Sequence, residues 1–363
     1  MANMEKQKVI MICTASRGGM RSVVDGYIAD GLFSRWNVML LSSHVEGRFS
    51  LRLAAGVKAY LCLLGLLLTR RVGLVHCHVA MKRSFWRKSL FALTSRMTRV
   101  PVVFHLHGSE TKVFIEELPA LLKRLVGWIL AKQSVVVALS KGWSQYLKSI
   151  SPRANVEVIP NYVSLPELDS DVSGGRDLNV VEVLFLGAVG ARKGVYDLLP
   201  AFRDASAQVP SLRLIIGGKG EEDRAQALAR KLKIENRVVF AGWVNGEAKE
   251  DLLRRARIYV LPSYNEGLPV SLLEAMSWRI PVISTRVGAI PELVREGIDG
   301  LLIDAGDRAA LSAAIIELAQ SAELQQKMGI EGRLQVERNF SKPVVFPRLE
   351  NIYRSLLSPK NVS

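Results

Sequence analysis

The sequence predicts an α/β protein of two doubly wound domains. Three observations predict it. The chain has 363 residues, enough for two domains at roughly 150 residues each. Short apolar runs rich in β-branched residues alternate with longer helical patterns from end to end. Those runs are continuous rather than alternating, as in parallel strands covered on both faces. Hydrophobic residues make up 49% and charged residues 23%, so burial offsets the ordering entropy and a disordered chain is excluded.

Taken in order, strands are expected at 9–13, 37–41, 74–77, 102–106, 135–138 and 156–160. A second set follows at 183–186, 212–216, 238–240, 258–261, 281–284 and 300–303. Between the sets, residues 162–179 hold Pro, Gly, Ser and Asp with little apolar periodicity and read as a linker. The expected domains are 1–165 and 180–340. Residues 341–363 are expected to form a C-terminal helix that crosses back to the first domain. Ligands of such domains sit at the carboxyl ends of the strands, and two of them facing a central cleft make a small-molecule site.

Residues 1–8 are polar and run straight into the first strand, so no signal peptide is read there. Cys13, Cys62 and Cys77 form neither a disulfide framework nor a metal spacing, and a reducing cytoplasm is expected.

Charge is unevenly placed. Lys and Arg number 49 against 34 Asp and Glu, a net +15. Residues 1–165 hold 23 basic and 8 acidic residues, while 166–363 hold 26 of each, so the whole excess lies in the first half. An anionic partner is expected there, either a membrane surface or nucleic acid; a merely solvated basic face has the same composition. Residues 48–71 read RFSLRLAAGVKAYLCLLGLLLTRR. The apolar part is taken as 57–69, about 13 residues, short of the roughly 20 that a bilayer span needs. In residues 82–99, Lys82, Arg83, Arg87, Lys88, Arg96 and Arg99 interleave with Phe85, Trp86, Leu90 and Phe91. This pattern suits a helix lying on anionic lipid. No nucleic-acid motif accompanies it, so lipid is expected and nucleic acid is not.

Four loops carry chemistry. Gly18 and Gly19 follow the first strand and precede a helix, where glycines let a phosphate approach free N–H groups; a plain tight turn has the same residues. His107 follows the strand at 102–106, placed to donate to a ligand or to serve only its loop. His76, His78, His105 and His107 form two His-x-His pairs, each on one strand face, but no carboxylate or cysteine completes a zinc pattern. Arg192 and Lys193 stand at the entry of a helix expected from Val195, where they make an anion site suited to a diphosphate; two solvated surface charges have the same residues. The run 260–276, VLPSYNEGLPVSLLEAM, ends a strand and starts a helix near Gly267 or Leu268. There Glu266 is expected at the cap, the amides of Gly267 and Leu268 on phosphate oxygens, and Glu274 two turns into the helix; a capping and a helical glutamate are each commonplace on their own, and the surrounding residues decide.

The Glu-seven residues-Glu spacing of this last run resembles the signature of the retaining glycosyltransferases of family four, which have the GT-B fold of two Rossmann-like domains. FAGWV at 240–244, IIGGKGEE at 215–222, ARKG at 191–194 and GAIPELV at 288–294 also fit, as do Gly18–Gly19 and His107–Gly108. The resemblance covers nearly the whole chain. It implies that Glu266 contacts donor-sugar hydroxyls, that Gly267 and Leu268 hold the diphosphate, and that Glu274 binds the ribose. It implies further that Arg192 and Lys193 neutralise the leaving diphosphate, that His107 faces the sugar, and that Gly18 and Gly19 approach the diphosphate. Val244 would border the base. In many members an arginine follows the glycine of the FLG strand end; here Ala188 stands in that place.

The implied reaction moves a hexose from a UDP- or GDP-sugar to an acceptor hydroxyl with retention of configuration. No DxD-type motif stands in a suitable loop, so no metal and no cofactor is expected. With the basic first half, the resemblance gives a lipid-linked saccharide acceptor, a peripheral place on the cytoplasmic face of the inner membrane, and a role in bacterial exopolysaccharide, capsule or lipopolysaccharide synthesis. The alternatives are a nucleotide-sugar epimerase of the same fold, and a basic membrane- or RNA-binding protein with a degenerate site.

Overall fold

The computed structural model describes residues 8–16, 18–168 and 180–358. The chain divides into two compact units, one within residues 1–161 and 345–363, the other within Tyr162–Val344. Most of the expected linker, residues 169–179, lies outside the described residues.

The first unit runs β1 (Lys8–Cys13), α1 (Gly19–Ala29), α2 (Leu32–Arg35), β2 (Val38–Ser42), α3 (Phe49–Leu68), β3 (Val72–Val79) and α4 (Arg83–Met97). It continues with β4 (Val102–Leu106), α5 (Thr111–Glu116), α6 (Ala120–Ala131), β5 (Val135–Ala138), α7 (Lys141–Ile150) and β6 (Val156–Val158). The six strands pair in parallel in the order β2-β1-β3-β4-β5-β6. Strands β3, β4 and β5 are buried along their whole length, which is why they read as unbroken apolar runs. Ser140 starts α7 by accepting from the Trp143 amide, as an N-cap serine does.

The second unit runs β7 (Val181–Leu186), α8 (Val195–Gln208), β8 (Leu212–Gly217), α9 (Glu222–Lys231), β9 (Val238–Gly242), α10 (Gly246–Arg255) and β10 (Ile258–Leu261). Then come α11 (Val270–Ser277), β11 (Val282–Thr285), α12 (Ile290–Leu293), β12 (Gly300–Ile303), α13 (Arg308–Gln320), α14 (Ala322–Asn339) and α15 (Lys342–Leu357). Its sheet is also parallel, in the order β12-β11-β10-β7-β8-β9. Asp307 and Ser321 cap α13 and α14 through the amides of Ala310 and Leu324. From Val345 onward α15 belongs to the first unit, where Tyr353 is buried and its hydroxyl meets His76 Nδ1 at 2.6 Å. Glu350 on the same helix accepts from Trp36 Nε1 at 3.0 Å.

Each of the twelve expected strands is present, with ends that coincide or differ by one or two residues. The largest change is β3, which runs two residues further at each end, over Val72–Val79, and takes buried His78 into the strand.

Two expectations about the basic half are corrected. The apolar segment is not 13 residues: α3 has 20, with mean hydropathy 1.8, long and apolar enough to cross a membrane by length and composition. Arg52 does not stop it, because arginine is a good helix former whose stem lies along apolar surface while the charge stays in water. Ala59, Leu63 and Leu67, one stripe at a spacing of four, anchor α3 in the core of the unit. Phe49, Leu51, Leu53, Val57 and Leu61 stay exposed. The second correction concerns α4, which is not a lipid-facing helix throughout. Phe85, Lys88 and Phe91 are buried. Lys88 Nζ donates to the carbonyls of Ile12 (3.1 Å) and His78 (2.7 Å), and burial pushes its pKa down to about 8.

Candidate active site

Both sheets reverse strand order, and such a reversal places ligands at the carboxyl ends of the two strands that flank it. In the second sheet these are β7 and β10, neighbours in space and far apart in sequence. The loop after β7 carries Arg192 and Lys193 in a single 3₁₀ turn. The loop after β10 carries Ser263, Asn265 and Glu266. Lys193 Nζ meets Glu266 Oε1 at 2.5 Å, and Ser263 Oγ donates to the same oxygen at 2.6 Å. Glu266 is only 5% exposed. Among the described residues both of its side-chain bonds fall on Oε1, which leaves Oε2 to accept from a ligand hydroxyl.

The two loops are stitched together by backbone. The Tyr264 amide donates to Arg192 O at 2.9 Å, and Arg192 Nη1 donates to Asn265 O at 3.2 Å. Two glycines permit the approach. Gly194 has φ 72°, and a Cβ there would lie 2.0 Å from Pro262 O. Gly288 has φ 57°, and a Cβ there would lie 1.8 Å from Glu266 O. Beside it the Ala289 amide donates to Gly267 O at 3.0 Å. Only glycine meets both demands, a left-handed backbone and contact with a carbonyl. Thr285 Oγ1 donates to Ser263 O at 2.6 Å and holds the loop from β11.

The helix after this loop begins at Val270, with Pro269 as its N-cap, and not at Gly267 or Leu268. Glu266 is therefore held by Lys193 and Ser263 rather than by helix capping. Proline lacks an N–H and fixes its own φ, so Pro269 suits a helix boundary and the chain enters the helix only after it. Gly267 and Leu268 lie in the bend before it, both buried. Glu274 lies on α11 and accepts from Lys249 Nζ of α10 at 2.6 Å. Val244 is half-buried against the end of β8, where a Cβ on Gly217 would come within 3.0 Å of its Cγ2. Ala188 is exposed in the loop after β7.

The other expected residues stand in the first unit. Gly18 is the N-cap of α1 with φ 143°, and neither it nor Gly19 has an atom within 4 Å of where a Cβ would be. His107 follows β4 and its Nε2 meets His78 Nδ1 at 2.8 Å. His78 and His105 are direct partners in the β3–β4 register, so the two His-x-His pairs form one pile of four imidazoles. His76 and His105 lie parallel within 3°, and His76 Nε2 meets His105 Nδ1 at 3.2 Å. Burial pushes His76 and His107 down to about 3 and holds His78 and His105 well below the usual imidazole range, so all four are neutral. Nitrogens of His76, His78 and His105 lie within 4.8 Å of one another. Yet among the described residues only His78 Nε2 and His105 Nε2 of the pile are buried without a partner, two ligands where a structural zinc takes four.

Known proteins can be set beside this geometry. Residues 170–335 match the family of glycosyl transferases group 1, and residues 25–166 match Glycosyltransferase Family 4. A phosphatidyl-myo-inositol mannosyltransferase of Mycobacterium leprae is 30% identical over 74% of this chain and 70% of its own length. The chain belongs to the glycosyl transferases group 1. An N-acetyl-alpha-D-glucosaminyl L-malate synthase of Bacillus anthracis is 27% identical over 71% of this chain and 69% of its own. The lipopolysaccharide core biosynthesis glycosyltransferase LpsE of Rhizobium meliloti is 26% identical over 62% and 64%. The fold matches that of Anabaena HepE in complex with UDP, with TM-score 0.75 and 18% identity over 96% of this chain and 100% of that one. The fold is thus GT-B, an α/β fold with two parallel six-stranded sheets.

Of the expected residues of this glycosyltransferase-family chain, the second unit brings together Arg192, Lys193, Glu266, Gly267 and Leu268 on the β7 and β10 loops. Glu274 stands on the helix that follows. Two partners were not expected. Ser263 lies inside the recognised run, and only its bond to Glu266 singles it out. Lys249 lies in GEAKEDLLRR, a charged surface helix that carries no signal of its own.

Proposed function

We propose that the chain is a retaining, metal-independent hexosyltransferase that carries a sugar from UDP- or GDP-sugar to a lipid-linked saccharide at the cytoplasmic face of a bacterial inner membrane. The buried Lys193–Glu266 pair at the strand-order switch of the second sheet is the observation that carries this reading.

The second unit holds the donor in this reading. Glu274 takes the ribose hydroxyls and Val244 borders the base. The amides of Gly267 and Leu268 and the side chains of Lys193 and Arg192 take the diphosphate. Lys193 has a second duty, since its ammonium also fixes Glu266 Oε1 and turns Oε2 to the sugar hydroxyls. As the anomeric C–O bond to phosphate breaks, negative charge grows on the leaving oxygen, where these cations and amides are already placed. The acceptor oxygen forms the new bond on the same face, and its proton passes to the leaving phosphate. Arg192 and Lys193 supply the positive charge that a divalent ion gives elsewhere. The names of the Mycobacterium leprae and Rhizobium meliloti relatives, with the basic first half, support a lipid-linked acceptor of exopolysaccharide, capsule or lipopolysaccharide synthesis.

Calorimetric titration with UDP and with GDP, in EDTA, tests the donor half. Binding of one nucleotide, lost in Glu274→Ala, names the donor class. Binding of neither refutes the reading.

A further inference from the structure

The first unit contains a cavity of about 570 Å³ to which the donor chemistry gives no task. It opens at the carboxyl side of its sheet, where Thr14 and Ser16 follow β1, His44 follows β2 and Ala80 follows β3. The strand order reverses between β1 and β3, so this is the ligand position of the first sheet. Helices α3 and α4 wall it with Phe49, Leu53, Val57, Leu90 and Phe91. Phe49 is 74% exposed, and Leu53 and Leu90 are each more than half exposed, so the apolar wall continues out to the surface.

The charged lining is wholly basic: Arg52, Arg83, Arg87 and Lys88, with no Asp or Glu. Among the described residues none of the three arginines is in an ion pair. Arg52 Nε is satisfied by Gly47 O at 2.7 Å, but Arg87 Nε is buried with no partner. With no carboxylate partner among the described residues, these guanidinium groups leave uncompensated positive charge around the cavity, which an anion can neutralise. The remaining polar lining is Thr14, Ser16, His44, Tyr60 and Ser84, at the mouth of the strands and between the helices. A free inorganic anion leaves the long apolar wall without a use. An anionic head joined to an apolar chain satisfies both parts of the lining, and a cavity of this size suits such a ligand.

We propose that this cavity binds the phosphate head and the first units of the chain of a membrane lipid phosphate, with the head on Arg87 and the chain between α3 and α4. It rests on the lipid-acceptor reading above and names the end of the acceptor that the chain recognises.

The test is titration of the full chain with farnesyl phosphate, farnesol and inorganic phosphate, on wild type, Arg87→Gln and Gly56→Leu. Gly56 faces the cavity from α3, and a Cβ there meets Ser43 O at 3.6 Å and Arg87 Cδ at 3.8 Å, so the backbone accepts a side chain that then fills the space. Farnesyl phosphate is expected to bind at least tenfold tighter than either farnesol or inorganic phosphate. Each variant is expected to weaken it at least tenfold, with unchanged circular-dichroism melting. Equal affinity for farnesyl phosphate and farnesol, tight binding of inorganic phosphate alone, or wild-type affinity in Arg87→Gln overturns the proposal. Transfer of labelled sugar to a bacterial lipid extract is measured separately. Transfer without farnesyl phosphate binding overturns the cavity and leaves the acceptor reading standing. Binding without any transfer supports the cavity and counts against the acceptor reading.

Discussion

Lys193 and Glu266 are 73 residues apart, yet their side chains meet at 2.5 Å because β7 and β10 pair in parallel and end side by side. Both side chains are largely buried, so each charge depends on the other. Breaking such a pair from one side leaves an uncompensated charge. Lys193→Met is therefore expected to lower stability by about 3 kcal/mol, and the double variant Lys193→Met/Glu266→Gln by clearly less. Urea unfolding of the four proteins of this cycle measures the difference. Turnover is expected to fall about 100- to 1,000-fold in Lys193→Met, the loss typical of a removed oxyanion donor. Additive stability losses would show that the pair does not act as one.

Glu274 and Lys249 predict a graded effect on nucleotide affinity. Glu274→Ala removes the carboxylate itself and is expected to weaken the bound nucleotide by at least tenfold, about 1.4 kcal/mol. Lys249→Ala only frees that carboxylate, so a smaller loss is expected. The same calorimetric titration ranks them. A larger loss in Lys249→Ala would mean that the lysine, not the glutamate, meets the ligand.

Gly288 is placed to read the loop geometry. An alanine there carries a Cβ into Glu266 O and must also adopt φ 57°. Gly288→Ala is expected to cost about 2 kcal/mol or more, seen as a melting decrease of roughly 4–8 °C in a unit of this size. Nucleotide binding falls with it, because the displaced carbonyl belongs to Glu266. Gly246 also has positive φ but open space around it, so Gly246→Ala carries only the backbone cost and serves as the control.

The four histidines predict acid lability of the first unit. Their folded pKa values lie below the unfolded value near 6.5, with His76 and His107 at about 3. Between those limits the unfolded chain binds more protons than the folded one, so stability falls as pH falls. It is fully present above about pH 6.5, and each histidine removes about 1.4 kcal/mol per pH unit below that. Lys88, whose pKa of about 8 lies above this window, stays charged throughout it. Melting at pH 7 and pH 5 is the measurement. Equal midpoints would show that the imidazoles take protons without unfolding.

The exposed residues of α3 predict membrane contact. Phe49, Leu51 and Leu53 are more than half exposed beside Arg48 and Arg52. Sedimentation with anionic vesicles at low salt is expected to carry down the wild type. Phe49→Ser/Leu53→Ser is expected to carry down several-fold less, and raised salt to weaken both. Neutral vesicles that bind equally well would remove the electrostatic part.

Much of this protein was legible in its sequence, and the reason is local. Continuous apolar runs such as Val135–Ala138 and Ile258–Leu261 are buried on both faces, so composition alone marks them as strands. The charge excess of the first half needs only counting, and the run from Ser263 to Glu274 carries its spacing in the chain itself. Where neighbours in space decide, the sequence said less. It read His-x-His twice but not one pile of four rings, because the β3–β4 register joins them. It placed Lys88 among lipid-facing charges, although two strand-end carbonyls draw it into the core. It started α11 too early, since Pro269 and the loop bonds hold the chain out of helix as far as Val270. Residue types and their spacing fixed which groups could do chemistry. Which of them touch was decided by parallel strand order, because only the reversal between β7 and β10 brings Lys193 to Glu266.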